Sequence, residues 1–269
     1  MRIAAIQIRA TADWQENLET ITHALRQAAD RGAQLAVFPE AAFQAFDTGR
    51  LDLQAQDLDG PFASRIAELA QQLGLTVVVG MFRPADQVRR GEKTLNRVLN
   101  SALITGGGLH QAYDKIHTYD AFDYRESDTV RPGEHHVVVE VAGVKVGVAV
   151  CFDIRFPELF RELACRGAEV IVVPASWANG PGKLGDWRLL ARARALDTGC
   201  YIVGVDQALP VGVEEGEPTG PIGIGHSLCV GPDAEVIAEA GSGPELMLID
   251  VAPERVARQR DRLPVLPRT

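Results

Sequence analysis

Val146-Gly147-Val148-Ala149-Val150-Cys151-Phe152-Asp153-Ile154-Arg155-Phe156-Pro157-Glu158-Leu159 is a β-branched apolar run that ends at a cysteine and is followed by a proline and a helical pattern. The spacing predicts a buried strand, a sharp turn that holds the thiol, and a new helix. Pro157 suits the first turn of that helix, where its missing N–H is no loss. Cys151 is therefore expected beside unpaired backbone N–H groups, a setting that favours the thiolate. The competing reading is that a free cysteine at the end of a core strand is simply a small buried hydrophobe.

Working outward, the two halves of the chain repeat one order of elements. Ile3 to Ile8 alternates as a strand, and Asp13 with Glu16 forms a capping-box pattern. Leu18, Ile21, Leu25 and Ala28 then recur at helical spacing up to Gly32, and the strand Leu35 to Phe38 stops at Pro39-Glu40. A loop runs to about Gly60, a helix carries Ile66, Leu69, Ala70 and Leu73, and Leu75 to Val79 is a short strand. Asn96 to Thr105 and Leu109 to Tyr113 flank Gly106-Gly107-Gly108 as a hairpin. In the second half, Ala164-Cys165-Arg166-Gly167-Ala168-Glu169-Val170-Ile171-Val172-Val173-Pro174 echoes Ala29-Asp30-Arg31-Gly32-Ala33-Gln34-Leu35-Ala36-Val37-Phe38-Pro39. A strand from Val144 to Val150, a helix from Asp186 to Asp197, a strand from Tyr201 to Val205 and a hairpin at Gly231-Pro232-Asp233 complete the match. Two such β-α-β-α-β-plus-hairpin halves imply an α/β fold of two sheets packed face to face, each covered by helices on its outer side. With no Ser/Gly-rich linker between the halves, residues 1–269 are expected to form one domain. A strand from Leu246 to Val251 is followed over 252–269 by a polar helix and an arm that either crosses a partner subunit or frays.

Composition narrows the function. The 36 acidic against 27 basic side chains give a net charge of −9, which argues against nucleic acid and anionic membrane as partners. The apolar runs are strand-sized, and the amino terminus alternates rather than forming a signal-peptide core, so a cytoplasmic protein is expected. Cys151, Cys165, Cys200 and Cys229 form no C-x-x-C pair. Neither H-E-x-x-H, nor G-x-G-x-x-G, nor a Walker-type loop occurs, so no metal or nucleotide cofactor is expected. The last three of these cysteines fall within helix or strand patterns and are expected in the core.

Three polar residues stand at strand ends, where α/β structures gather reactive groups: Glu40, Lys115 and Cys151. A cysteine attacking an amide carbon needs a base for its proton, a cation or N–H for the oxyanion, and an acid for the leaving nitrogen. A carboxylate and an ammonium supply all three. Phe38-Pro39-Glu40, Tyr113-Asp114-Lys115-Ile116-His117 and Val150 to Glu158 resemble, in this order, the three signature segments of the nitrilase superfamily of carbon–nitrogen hydrolases. The likeness extends through Arg192-Ala193-Arg194-Ala195 and Gly225-His226-Ser227, so it covers nearly the whole chain.

The resemblance implies a four-layer αββα sandwich with pseudo-symmetric halves. It implies Glu40 as general base, Lys115 as oxyanion stabiliser and proton donor, and Cys151 as the nucleophile of a thioester intermediate. It further implies Glu126 as the carboxylate that orients the substrate amide and the Phe152 N–H as an oxyanion donor. The local wording is most similar to the amidase branch that includes deaminated-glutathione amidase and ω-amidase, which cut amides of small dicarboxylates. A small-molecule amide substrate and a homodimer or larger homo-oligomer are implied with it. Arg155, about one helical turn beyond Cys151, either holds a substrate carboxylate or pairs with Glu158. Trp177 either walls the pocket or packs in the core. His117 is open to a rival Cys–His mechanism or to support of the Lys115 loop. Two functional alternatives stand beside the amidase: an N-carbamoyl amidohydrolase with the same triad, and a non-catalytic binding or scaffold protein on the same fold.

Overall fold

The computed structural model describes residues 1–121 and 124–267; Arg268 and Thr269, the tip of the expected arm, lie outside the described residues. The first half runs β1 (Arg2–Gln7), α1 (Trp14–Asp30), β2 (Leu35–Val37), α2 (Pro61–Leu73), β3 (Thr76–Arg90), β4 (Lys93–Gly106) and β5 (Leu109–Asp114). A two-stranded ribbon, β6 (Asp120–Ala121) with β7 (Tyr124–Arg125), leads into a 3-10 turn at Glu126–Asp128. The second half runs β8 (Val137–Val141), β9 (Val144–Val148), α3 (Pro157–Cys165), β10 (Val170–Ala175), α4 (Lys183–Thr198), β11 (Tyr201–Asp206), β12 (Leu228–Val230) and β13 (Val236–Glu239). β14 (Glu245–Asp250) and α5 (Pro253–Arg262) follow.

Two six-stranded sheets result, ordered β14-β1-β2-β3-β4-β5 and β13-β12-β11-β10-β9-β8. In each, three parallel strands are flanked by an antiparallel hairpin on one side and one antiparallel strand on the other. The expected repeat is present, and the outermost strand is drawn differently in the two halves. β8 directly precedes β9, whereas β14 returns from the far end of the chain to pair with β1.

Strand alternation builds the layers. Ile3, Ala5, Leu35, Val37 and Val78 join one core with Val146, Val148 and Val172 of the second sheet. Their neighbours Ala4, Ile6, Ala36, Val77 and Val79 join a separate core with Ile21, Leu25 and Ala28 of α1 and Phe62, Ile66 and Leu69 of α2. Residues one apart on a strand point to opposite faces, so the first sheet is covered by helices outside and by the second sheet inside. On the second sheet α3 and α4 supply Leu159, Phe160, Leu163, Trp187 and Ala191. The Trp187 indole lies so close to β11 that a Cβ at Gly204 would stand 2.5 Å from its ring. The architecture is the αββα sandwich expected from the sequence.

The differences are local. The capping box at α1 is split: the Asp13 carboxylate accepts the Gln15 N–H at 2.8 Å, while Glu16 accepts the Thr11 hydroxyl at 3.0 Å. β3 and β4 extend well past the expected apolar cores into a polar ribbon that pairs as far as Arg90 with Lys93. Among the described residues no helix is long and apolar enough to cross a membrane.

Candidate active site

Glu40, Lys115 and Cys151 each follow a strand, β2, β5 and the β9 extension respectively, and meet at one end of the sandwich. Glu40 sits in a tight corner over β3. A Cβ at Gly80 would lie 2.5 Å from the Pro39 carbonyl oxygen and 2.7 Å from the Ala41 nitrogen, so only glycine lets the Glu40 backbone settle there. The Gln207 side-chain amide then donates to the Glu40 carbonyl at 3.0 Å.

The Lys115 ammonium holds two carboxylates at once, donating to Glu40 Oε1 at 3.0 Å and to both oxygens of Glu126 at 3.1 and 3.0 Å. Glu126 is delivered by the 3-10 turn after the β6–β7 ribbon, and its Oε2 also accepts the Tyr119 N–H at 2.6 Å. Asn100, in the middle of β4, donates its amide to Glu40 Oε1 at 2.7 Å and to Glu126 Oε1 at 3.3 Å. The side chains of Lys115, Glu40 and Glu126 are at most 3% exposed. Burial works against the Lys115 charge, yet the Glu126 and Glu40 carboxylates overrule it and hold the ammonium well above the ordinary lysine range. Burial raises the Glu40 carboxyl; Lys115 pulls it back and the Glu126 charge pushes it up again.

Cys151 opens a 3-10 turn, Cys151–Arg155, with a left-handed φ of 48° that a residue with a Cβ adopts only under strain. Its thiol lies beside Glu40 on the cavity wall and approaches the Ser176 carbonyl oxygen at 3.7 Å. Ser176, just beyond β10, also donates its N–H to Glu40 Oε2 at 2.9 Å, so one residue touches both Glu40 and Cys151. The expected thiolate is not what this setting favours. The 3-10 turn and Phe156 separate Cys151 from the start of α3, and burial together with the Glu40 charge pushes the thiol well above its ordinary range despite Lys115. The resting group is a protonated thiol beside a carboxylate.

Asp153, fully buried inside the turn, ties it to the Lys115 loop. Its Oδ2 accepts the Val150 N–H at 2.9 Å and the Tyr113 hydroxyl at 2.7 Å; its Oδ1 accepts the His117 N–H at 3.0 Å and pairs with His117 Nδ1 at 2.7 Å. The His117 ring stacks on Phe156 with centroids 3.6 Å apart, committed to this support and absent from the cavity wall.

A cavity of about 460 Å³, counting the open solvent at its mouth, is lined by Glu40, Lys115, Glu126 and Cys151. Phe152, Arg155 and Trp177 line it as well, so every site residue expected from the sequence is brought together. Arg155 does not take the Glu158 alternative: it donates to Asp186 of α4 at 3.0 Å and lies 5.3 Å over the Trp177 ring. Trp177 anchors its indole N–H on the Lys183 carbonyl at 3.0 Å and its backbone N–H on Asp206 at 2.8 Å. The fully buried Asp206 carboxyl, which also accepts the Ile224 N–H at 2.8 Å, is pushed up to about 7 by burial.

The carbon-nitrogen hydrolase family model matches residues 2–261. The chain belongs to this family. A protein of Mycobacterium tuberculosis named only as a hydrolase is 44% identical over 99% of this chain and 94% of its own length. The deaminated glutathione amidase of Escherichia coli O157:H7 is 36% identical over 99% of this chain and 96% of its own. Among solved structures, a point mutant of the amidase of Nesterenkonia sp. AN1, from the nitrilase superfamily, aligns with a TM-score of 0.75 at 26% identity over 98% of both chains; in that mutant acrylamide has added to the active-site cysteine. This carbon-nitrogen hydrolase is thus an enzyme of the amidase kind.

Other features of the hydrolase site escaped the sequence reading. Asn100 carried a faint signal, an amide beside Ser101 in the mostly apolar run Val98-Leu99-Asn100-Ser101-Ala102. Tyr119 and Ser176 lie in loops whose course depends on tertiary contacts, Lys183 opens α4, and all three line the cavity. Of the remaining cysteines, Cys200 and Cys229 are buried as expected, whereas Cys165 is exposed at the end of α3.

Proposed function

We propose that this enzyme hydrolyses the amide bond of a small, carboxylate-bearing substrate through a Cys151 thioester. The observation that carries this reading is the convergence of the Cys151 thiol, the Glu40 carboxylate and the Lys115 ammonium on one buried cavity. Glu40 takes the thiol proton as sulfur attacks the amide carbon, which removes the cost of forming a free thiolate in a buried site. The oxyanion that develops is met by the Lys115 Nζ and by the Phe152 N–H, one of the first N–H groups of a 3-10 turn, which have no acceptor within the turn. The proton held on Glu40 passes, directly or by way of Lys115, to the leaving nitrogen, and ammonia or an amine departs. Water then attacks the thioester with Glu40 again as base, releasing the acid and restoring the thiol. Glu126, fixed by Lys115 and the Tyr119 N–H, orients the substrate amide.

Arg155 and Lys183 give the cavity wall its positive charge, and Trp177 and Phe152 give it apolar surface. A short acyl chain ending in a carboxylate fits that distribution, and the name of the Escherichia coli relative supports the same class. The exposed Leu189 and Leu196, seven residues apart on one face of α4, support self-association as a homodimer or larger assembly. The test is a panel of ω-amides of dicarboxylic acids, deaminated glutathione, N-carbamoyl amino acids and nitriles, with ammonia and amine release followed beside Cys151→Ala. Turnover of the carboxylate-bearing amides that disappears in the variant is expected; turnover that survives in Cys151→Ala refutes the mechanism.

A further inference from the structure

We infer that Asn100 is a positioning residue that keeps Glu40 an ionised, correctly turned base beside a second carboxylate. The inference rests on the role of Glu40 proposed above. From one place on β4, Asn100 reaches three members of the site. Its amide nitrogen donates to Glu40 and, at longer range, to Glu126, and its backbone carbonyl accepts the Lys115 N–H at 2.9 Å. The orientation of the amide follows from chemistry, because turning the carbonyl oxygen toward two carboxylates would set acceptor against acceptors. The consequence is that Asn100 Oδ1 is buried with no hydrogen-bond partner among the described residues. A residue present only to fill space would not carry that penalty, since leucine has the same number of side-chain heavy atoms, branches at the same carbon and needs no partner.

Charge counting shows what the penalty sustains. Two carboxylates share one ammonium, and Lys115 contacts both Glu126 oxygens but only one Glu40 oxygen. Four charged or titratable groups face Glu40: Lys115 from the end of β5, Glu126 from the 3-10 turn, Cys151 from the nucleophile turn and Asp206 from the end of β11. Glu126 and Asp206 oppose a charge on Glu40, as burial does; Lys115 and the thiol favour it. The Asn100 amide and the Ser176 N–H are uncharged, non-titrating donors on the favouring side, and the Asn100 bond, at 2.7 Å, is the shorter. An uncharged donor stabilises the carboxylate without adding a cation that would compete with Lys115 for the oxyanion.

The experiment compares wild type, Asn100→Leu and Asn100→Asp in two pH profiles: hydrolysis of succinamic acid, and alkylation of Cys151 by iodoacetamide followed by intact mass. Loss of the donor makes Glu40 harder to ionise, so the acid limb of each profile is expected to move to higher pH, by about one to two units for Asn100→Leu. Asn100→Asp adds a like charge and is expected to move the limb at least as far. Because its side chain keeps the shape of asparagine, it decides the matter if the leucine variant fails to fold. An alkylation limb that stays at the wild-type pH in the folded variants, with or without a uniform drop in rate, overturns the inference. A shifted alkylation limb in an enzyme that does not hydrolyse amides upholds it and removes the amidase substrate reading instead.

Discussion

Replacing Asp153 tests whether the turn at Cys151 and the Lys115 loop are held by one buried carboxylate. Among its donors, the Val150 N–H and the Tyr113 hydroxyl are sealed from water, since both residues are at most 1% exposed. His117, 28% exposed, can exchange its partner for solvent. In Asp153→Ala the two sealed donors are left without acceptors, at about 1–3 kcal/mol each, or about 4 kcal/mol together. For a chain of this size each kcal/mol lowers the melting temperature by about 2 °C, so a fall of about 8 °C is expected in calorimetry. Asp153→Asn keeps one acceptor oxygen and should lose about half as much. Freed from its tether, the turn no longer holds Cys151 against Glu40, and kcat/KM should fall about 100-fold in the alanine variant. A melting temperature within about 2 °C of wild type, with kcat/KM unchanged, would refute the tether.

The strain at Cys151 is measurable by comparing two inactive variants: Cys151→Gly should be more stable than Cys151→Ala by about 1 kcal/mol, even after the greater unfolded-state freedom of glycine is counted. Equal denaturation midpoints would show the left-handed turn to be unstrained. Asp206, raised in the folded state to about 7, binds its proton more tightly folded than unfolded. Its contribution to stability is therefore full below about pH 4 and is lost as pH rises through 7, by an amount on the order of 4 kcal/mol. Melting curves of wild type and Asp206→Asn at pH 5 and pH 8 should show the variant gaining on wild type at the higher pH, and a constant offset would contradict this. Arg155→Lys should raise KM about tenfold for amides that carry a carboxylate and leave neutral amides unaffected, because lysine cannot supply the planar fork of donors. An equal loss on both classes would place Arg155 outside substrate recognition.

What the sequence disclosed follows from how directly a residue's position depends on local structure. Glu40, Lys115 and Cys151 were legible because each stands where an apolar run stops, and a strand end is a local property. The face-to-face sheets were legible for the same reason, since the echo from Ala29 to Pro39 in Ala164 to Pro174 marks two like units. Asn100 was not, because its function comes from Glu40 and Glu126, 60 and 26 residues away, meeting at the middle of β4. The thiolate expected from Pro157 failed on a similar point: helix N–H groups favour charge only on an atom they reach, while burial and the Glu40 carboxylate act on Cys151 directly. Val137–Val141, missing from the expected strands, did carry a local signal, four valines in five residues. Arg155 had a plausible partner three residues on, but the carboxylate that engages it, Asp186, comes from another helix.

The return of β14 to β1 has a consequence for the order in which the molecule can be made. All six strands of the second sheet come from consecutive chain, Val137 to Glu239, so that sheet can close as soon as its last hairpin is synthesised. The first sheet cannot, because Arg2 waits for Asp250, 248 residues later. Until then β1 presents a bare edge of unpaired N–H and C=O groups, the kind of surface on which strands of different molecules join. Closing that edge is a long-range step with a large loop to bring together. The last strand thus acts as the clasp of the fold, and the nascent enzyme is most exposed to aggregation in the interval before it arrives.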